Sequence, residues 1–71
     1  MPARVVGPLA VKRAIKKVGT KPAKGIARLK KVKTVLRATY GSPIAFSSKA
    51  VDELINYVGC DVRGELPPQP V

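Results

Sequence analysis

Between Leu9 and Val18 the apolar residues Val11, Ala14, Ile15 and Val18 fall at i, i+3, i+4 and i+7, while Lys12, Arg13, Lys16 and Lys17 occupy the opposite arc. That period predicts a short amphipathic helix with a basic back, opened by Pro8, whose missing N–H is tolerated in a first helical turn. The residues before it, 1–7, show no usable period and read as irregular. "GTKPAKG" then halts the helix, because Gly19, Pro22 and Gly25 make continuation unfavourable. A second and longer helix is expected over 26–40, with Ile26, Leu29, Val32, Leu36 and Tyr40 on one arc and Lys33 at its edge. Arg28, Lys30, Lys31 and Arg37 cover its remaining surface. "GSP" signals a turn, and Ile44-Ala45-Phe46 reads as an extended stretch too short to be a strand of a sheet by itself.

The next helix, over 48–58, is capped by Ser47 or Ser48 and repeats Val51, Leu54, Ile55 and Val58 at i, i+3, i+4 and i+7. Asp52 and Glu53 are expected in its first turn, where the helix dipole favours acids, and Gly59 is its stop. "CDVRGELPPQPV" is too rich in Gly and Pro to extend it far, and "PPQP" reads as a polyproline-like end. No repeat at a fixed longer period is visible. The fold class this implies is all-α. It comprises a basic N-terminal arm with a short helix (1–25), a helix-turn-helix pair (26–59) with main helices at about 26–40 and 48–58, and an extended Pro-rich tail (60–71).

Charge changes this picture most. Of the 14 Lys and Arg residues only Lys49 and Arg63 follow Tyr40, which leaves twelve (14 minus 2) in the first forty residues, and no Asp or Glu stands among them. The four acids, Asp52, Glu53, Asp61 and Glu65, all lie in the remainder. A segment of one charge sign repels itself, so a polyanion is expected to offset it, with nucleic acid ahead of an anionic membrane and of a merely solvated surface. The candidate phosphate contacts are Lys12, Arg13, Lys16, Lys17, Lys21, Lys24, Arg28, Lys30, Lys31 and Arg37. The apolar row Val51, Leu54, Ile55 and Val58 is the candidate protein contact.

With 71 residues, no Trp, and Tyr40, Phe46 and Tyr57 as the only aromatics, the core is thin and an assembly partner or homo-oligomer is expected. Core packing is the expected role of those three rings, rather than stacking on bases. Cys60 cannot pair within the chain, and with no His the four scattered carboxylates offer no zinc site. No cofactor or metal is expected. Enzymatic activity is not expected either: no nucleophile and base stand at a useful spacing, and Asp61 beside Cys60 disfavours a thiolate. No glycine loop follows a strand to cradle a nucleotide, and no Asn or Gln is poised with the cations for base readout.

One stretch carries a family resemblance. "KTVLRATYG", a short loop, then "FSSKAVDELINYV" resembles the first helix, first loop and opening of the second helix of the histone fold, nearest to core histones of type 2B, over residues 33–58. "KPAKG" is similar to histone-tail wording. The loop is one residue longer than the family's, the second helix is less than half its length, and the second loop and third helix are missing. The resemblance implies DNA phosphates against Ser47, Ser48 and Lys49, and a helix N-terminus with hydroxyls and an ammonium suits an anion.

These readings converge on a small basic structural protein that binds the nucleic-acid backbone largely without sequence preference, DNA ahead of RNA, as in DNA packaging in a nucleoid or virion. The alternatives are a ribosomal or other ribonucleoprotein component, a structural component of a large assembly such as a virion, and a cationic membrane-surface protein resting on residues 8–18. No apolar run approaches bilayer length and no secretory signal is visible, so the expected location is a reducing compartment with nucleic acid: nucleoid, nucleus, cytoplasm or virion interior.

Overall fold

Strand β1 (Arg4–Val6) and strand β2 (Ile44–Phe46) run parallel and in register, Arg4 opposite Ile44, Val5 opposite Ala45 and Val6 opposite Phe46. They belong to a computed structural model that describes residues 4–66. Parallel strands cannot be joined by a tight turn. The crossover here is a pair of helices, α1 (Pro8–Val18) and α2 (Ile26–Tyr40), and β2 leads directly into α3 (Ser48–Val58). A single 3₁₀ turn, Arg63–Glu65, closes the described chain.

The fold is mostly helical, and the two-stranded sheet corrects the all-α expectation. Residues 4–6 are a strand where an irregular segment was expected. Three-residue strands have no period to read, and each is held by its partner: Arg4 N–H donates to Pro43 O at 3.1 Å and Ser47 N–H to Val6 O at 3.0 Å. Ile44, Ala45 and Phe46 are all buried.

The core is made by all three helices and both strands. Val11 and Ala14 of α1, Leu29, Val32 and Leu36 of α2, and Val51, Leu54 and Val58 of α3 meet around Val6, Ile44 and Phe46. The expected division at residue 25 is therefore not a division of the fold. What read as an arm supplies β1 and a core helix, and Val11 is 0% exposed. Residues 60–66 depart from an extended tail as well, since the chain turns back to bury Val62 completely and to pack Leu66 on the core. Residues 67–71, with "PPQP", lie outside the described residues.

The first helical turn of α3 holds no acid. Ser47 is its cap, accepting from Ala50 N–H at 3.2 Å, which places Asp52 and Glu53 one turn further on than expected. Gly59 ends the helix in the left-handed region, φ 85°, donating its N–H to Ile55 O.

The structure exposes a repeat that the sequence hides. Strand, linker and helix occur twice at an offset of forty residues, with equal helix lengths of 11 residues. Ala10 and Ala50, Val11 and Val51, Ile15 and Ile55, Val18 and Val58, and Gly19 and Gly59 are identical pairs. Each glycine follows its helix with a positive φ. The surfaces diverge, Lys12 and Arg13 standing where Asp52 and Glu53 stand in the second unit.

Because the first unit is half of this core, removing residues 1–18 should abolish the cooperative thermal transition followed by circular dichroism. A truncated chain that melted like the intact one would show that the remainder folds without the first unit. Leu54→Ala, at a fully buried position, should cost about 2–5 kcal/mol in denaturant titration.

Candidate polyanion-binding face

The antiparallel packing of α1 on α2 decides where most of the cations go. Lys17 and Val18, at the end of α1, face Lys30, Lys31, Thr34 and Val35 near the start of α2 across a cavity of about 510 Å³. Ala10, Arg13 and Ala14 face Leu36, Thr39 and Tyr40 across an adjoining cavity of about 230 Å³. Lys17 and Val35 line both, so the two form one groove with Arg13 and Lys17 on one lip and Lys30 and Lys31 on the other.

The groove's two threonine hydroxyls are already committed as donors. Thr34 Oγ1 donates to Lys30 O and Thr39 Oγ1 to Val35 O, each at 2.9 Å. An anion seated there would find its charged donors in the Arg13, Lys17, Lys30 and Lys31 heads. Outside the groove, Lys16, Lys21 and Lys24 are exposed, and Arg37 lies on the far flank of α2. There it lines a second cleft with Lys33, Ser42, Pro43, Ile44 and Phe46. Lys33 is a cation that the site prediction omitted; its position at the edge of the apolar arc was the available signal.

Two of the expected phosphate contacts are differently engaged. Lys12 reaches across to α3 and pairs with Glu53 at 3.7 Å. Arg28 is buried, and its burial corrects both its assignment to the anion face and the expected place of Ile26, which is 42% exposed. The Arg28 guanidinium donates from Nε to Pro22 O at 2.8 Å, from Nη1 to Tyr57 O at 3.0 Å and from Nη2 to Thr20 O at 3.2 Å. It also lies over the Tyr57 ring, 4.8 Å from its centroid. The Tyr57 hydroxyl in turn donates to Gly19 O. Arg28 thus satisfies carbonyls beyond the end of α1 and at the end of α3, where helices leave acceptors unpaired and their dipoles favour a cation. The available signal was its place one turn before Val32, at the edge of the apolar arc of α2.

Ser47, Ser48 and Lys49 stand together at the head of α3 and do not line the groove. The Ser47 oxygen is used in capping its own helix, while Ser48 and Lys49 are exposed. Three of the four residues expected at a protein contact, Val51, Leu54 and Val58, are buried in the chain's own core, so an open face made of them is ruled out. Ile55 packs against that core half-buried. Phe46 is a core ring, Tyr40 lies beneath Arg4 at 5.8 Å, and Cys60 is an exposed free thiol.

No protein-family model, curated protein or solved structure matches this chain. The reading of the site therefore rests on its geometry. The ion pairs of the described residues hold Lys12 and Arg63 against Glu53, Asp52 and Asp61. Arg28 is spent on carbonyls and Arg4 on an aromatic face. Ten cations remain without a carboxylate partner among the described residues: Arg13, Lys16, Lys17, Lys21, Lys24, Lys30, Lys31, Lys33, Arg37 and Lys49. Among the described residues no cluster of His, Cys, Asp and Glu could hold a metal ion, and no helix is long and apolar enough to cross a membrane.

Arg28→Met should destabilise the fold by about 2–4 kcal/mol in urea titration, because three carbonyls lose charged donors. Arg28→Lys should recover little of this, a single ammonium being unable to span three acceptors. Stability unchanged in both variants would show that the carbonyls are equally satisfied by water.

Proposed function

We propose that this chain is a small structural protein that binds the nucleic-acid backbone largely without sequence preference, with DNA the first candidate polymer and a ribonucleoprotein role the second. The observation that carries this reading is the segregation of charge: the acids are confined to α3 and the turn after it, whereas α1, the link and α2 bear nine of the ten uncompensated cations, all but Lys49. In the folded chain these come from helices whose apolar faces are turned inward, so their heads form a surface. Such a surface gains affinity mainly by releasing the counterions condensed on a polyphosphate, which depends on salt and not on base sequence. The compartment proposed is one that holds nucleic acid.

The histone resemblance of residues 33–58 adds a local proposal, that phosphate lies against Ser47, Ser48 and Lys49. α3 supplies an exposed Lys49 ammonium at the positive end of its dipole there, which suits an anion.

Titration of a short labelled duplex should show affinity falling on the order of a hundredfold between about 50 and 200 mM salt, at closely similar affinity for unrelated sequences. Affinity indifferent to salt would refute the reading. Lys49→Glu should weaken binding more than Lys16→Glu if the head of α3 is a seated phosphate contact, whereas equal losses would leave only a diffuse cationic surface.

A further inference from the structure

The groove between α1 and α2 offers more than charge. Its floor is aliphatic, with Val18 and Val35 half-buried against the core and Ala14 and Leu36 beneath them. A phosphate backbone would satisfy the Arg13, Lys17, Lys30 and Lys31 lips but leave this floor wet. The Thr34 and Thr39 hydroxyls, already donating to Lys30 O and Val35 O, add no donor for it. The ligand that satisfies floor and lips together carries an apolar stripe flanked by carboxylates.

The shape agrees. α1 lines the groove from Ala10 to Val18 and α2 from Lys30 to Tyr40, lengths of about 12 and 15 Å at the helical rise, which is room for two to three turns of a helix. The molecule already contains one such packing. On the other flank of α1 lies α3, apolar through Val51, Leu54 and Val58, with Glu53 reaching Lys12 across the seam at 3.7 Å. The groove side of α1 has the same kind of cationic edge, and no acidic helix of the described chain covers it.

We propose that the α1–α2 groove is the docking site for an acidic amphipathic helix of a partner protein, its apolar stripe on Val18 and Val35 and its carboxylates on Arg13, Lys17, Lys30 and Lys31. This is the helix-in-groove mode of recognition. It is independent of the nucleic-acid reading, which needs cations but no apolar floor.

The test uses the full chain and a fluorescein-labelled synthetic helix of about four turns, with leucines at i, i+3, i+4 and i+7 and glutamates beside them, read by anisotropy at moderate salt. Lys17→Glu with Lys31→Glu should weaken it about tenfold or more, whereas Lys16→Glu with Lys24→Glu, an equal charge change off the groove, should cost less than about threefold. Val35→Gln should weaken it while leaving the salt dependence unchanged, and circular dichroism confirms that each variant is folded. The proposal is overturned if both double variants lose equally, or if a peptide with glutamine for leucine binds as tightly. It is also overturned if the groove variant loses affinity for a labelled duplex while keeping the peptide, because the groove would then belong to nucleic acid. Failure of duplex binding with the peptide retained would refute the nucleic-acid reading alone.

Discussion

Arg28 is the residue on which the arrangement of the three helices turns. Its guanidinium is fixed by carbonyls of Thr20, Pro22 and Tyr57, so the link after α1, the start of α2 and the end of α3 are tied at one point. Gly25 N–H reinforces the tie by donating to Val58 O at 2.8 Å. A buried cation is tolerated only where its donors are used, and here the acceptors are one helix-end oxygen, of Tyr57, and two oxygens of the link, of Thr20 and Pro22. Arginine suits the place better than lysine, because a planar fork with several donors meets three carbonyls and a ring face at once. By fixing the link, Arg28 also fixes how α1 lies along α2, and with it the spacing of the groove's two lips.

Around that tie the chain uses one strand-helix unit twice. The repeated positions are those that pack: Val11 and Val51 are both buried, and Ile15 and Ile55 are both half-buried against the core. Divergence of charge is confined to positions that face water, such as Lys12 and Asp52, whereas the core positions that differ, Ala14 and Leu54 or Val6 and Phe46, stay apolar. Lys12 and Glu53 then meet across the seam between the units, so the divergence also supplies a cross-unit ion pair. That pair is exposed and contributes little to stability. Its consequence is electrical, since it leaves Arg13 and Lys17 as the unpaired cations on the opposite side of α1.

The three helices were legible in the sequence because each repeats its apolar residues at a helical period, and their ends were legible because Gly19, the "GSP" turn and Gly59 interrupt it. The sheet was not. Its strands are three residues long, lie forty residues apart, and take their order from each other and not from a local pattern. The integration of α1 was obscured by its charge: four cations on one arc suggested a solvated arm, yet the opposite arc holds Val11 and Ala14 in the core. The repeat was masked by sign changes such as Lys12 against Asp52. Of the anion face, the residue types were legible and their grouping was not, because a groove needs the antiparallel pairing of α1 with α2. Arg28 leaves α2 one turn before Val32, at one edge of the buried arc, whereas periodicity counted from apolar residues alone extended that arc the other way, to Ile26.

Placement of the acids gives the molecule a direction. Four carboxylates cannot neutralise fourteen cations, and scattered evenly they would lower the field everywhere by a modest amount. Confined to α3 and the turn beyond it, they offset Lys12 and Arg63 locally and leave the field of α1, the link and α2 nearly whole. Both proposals draw on that uncancelled field, and they part at the groove. Cations alone attract any polyanion and are screened by salt, whereas Val18 and Val35 reward only a ligand that can dry them. Charge therefore selects the class of partner at a distance, and the aliphatic floor discriminates among anionic partners on contact.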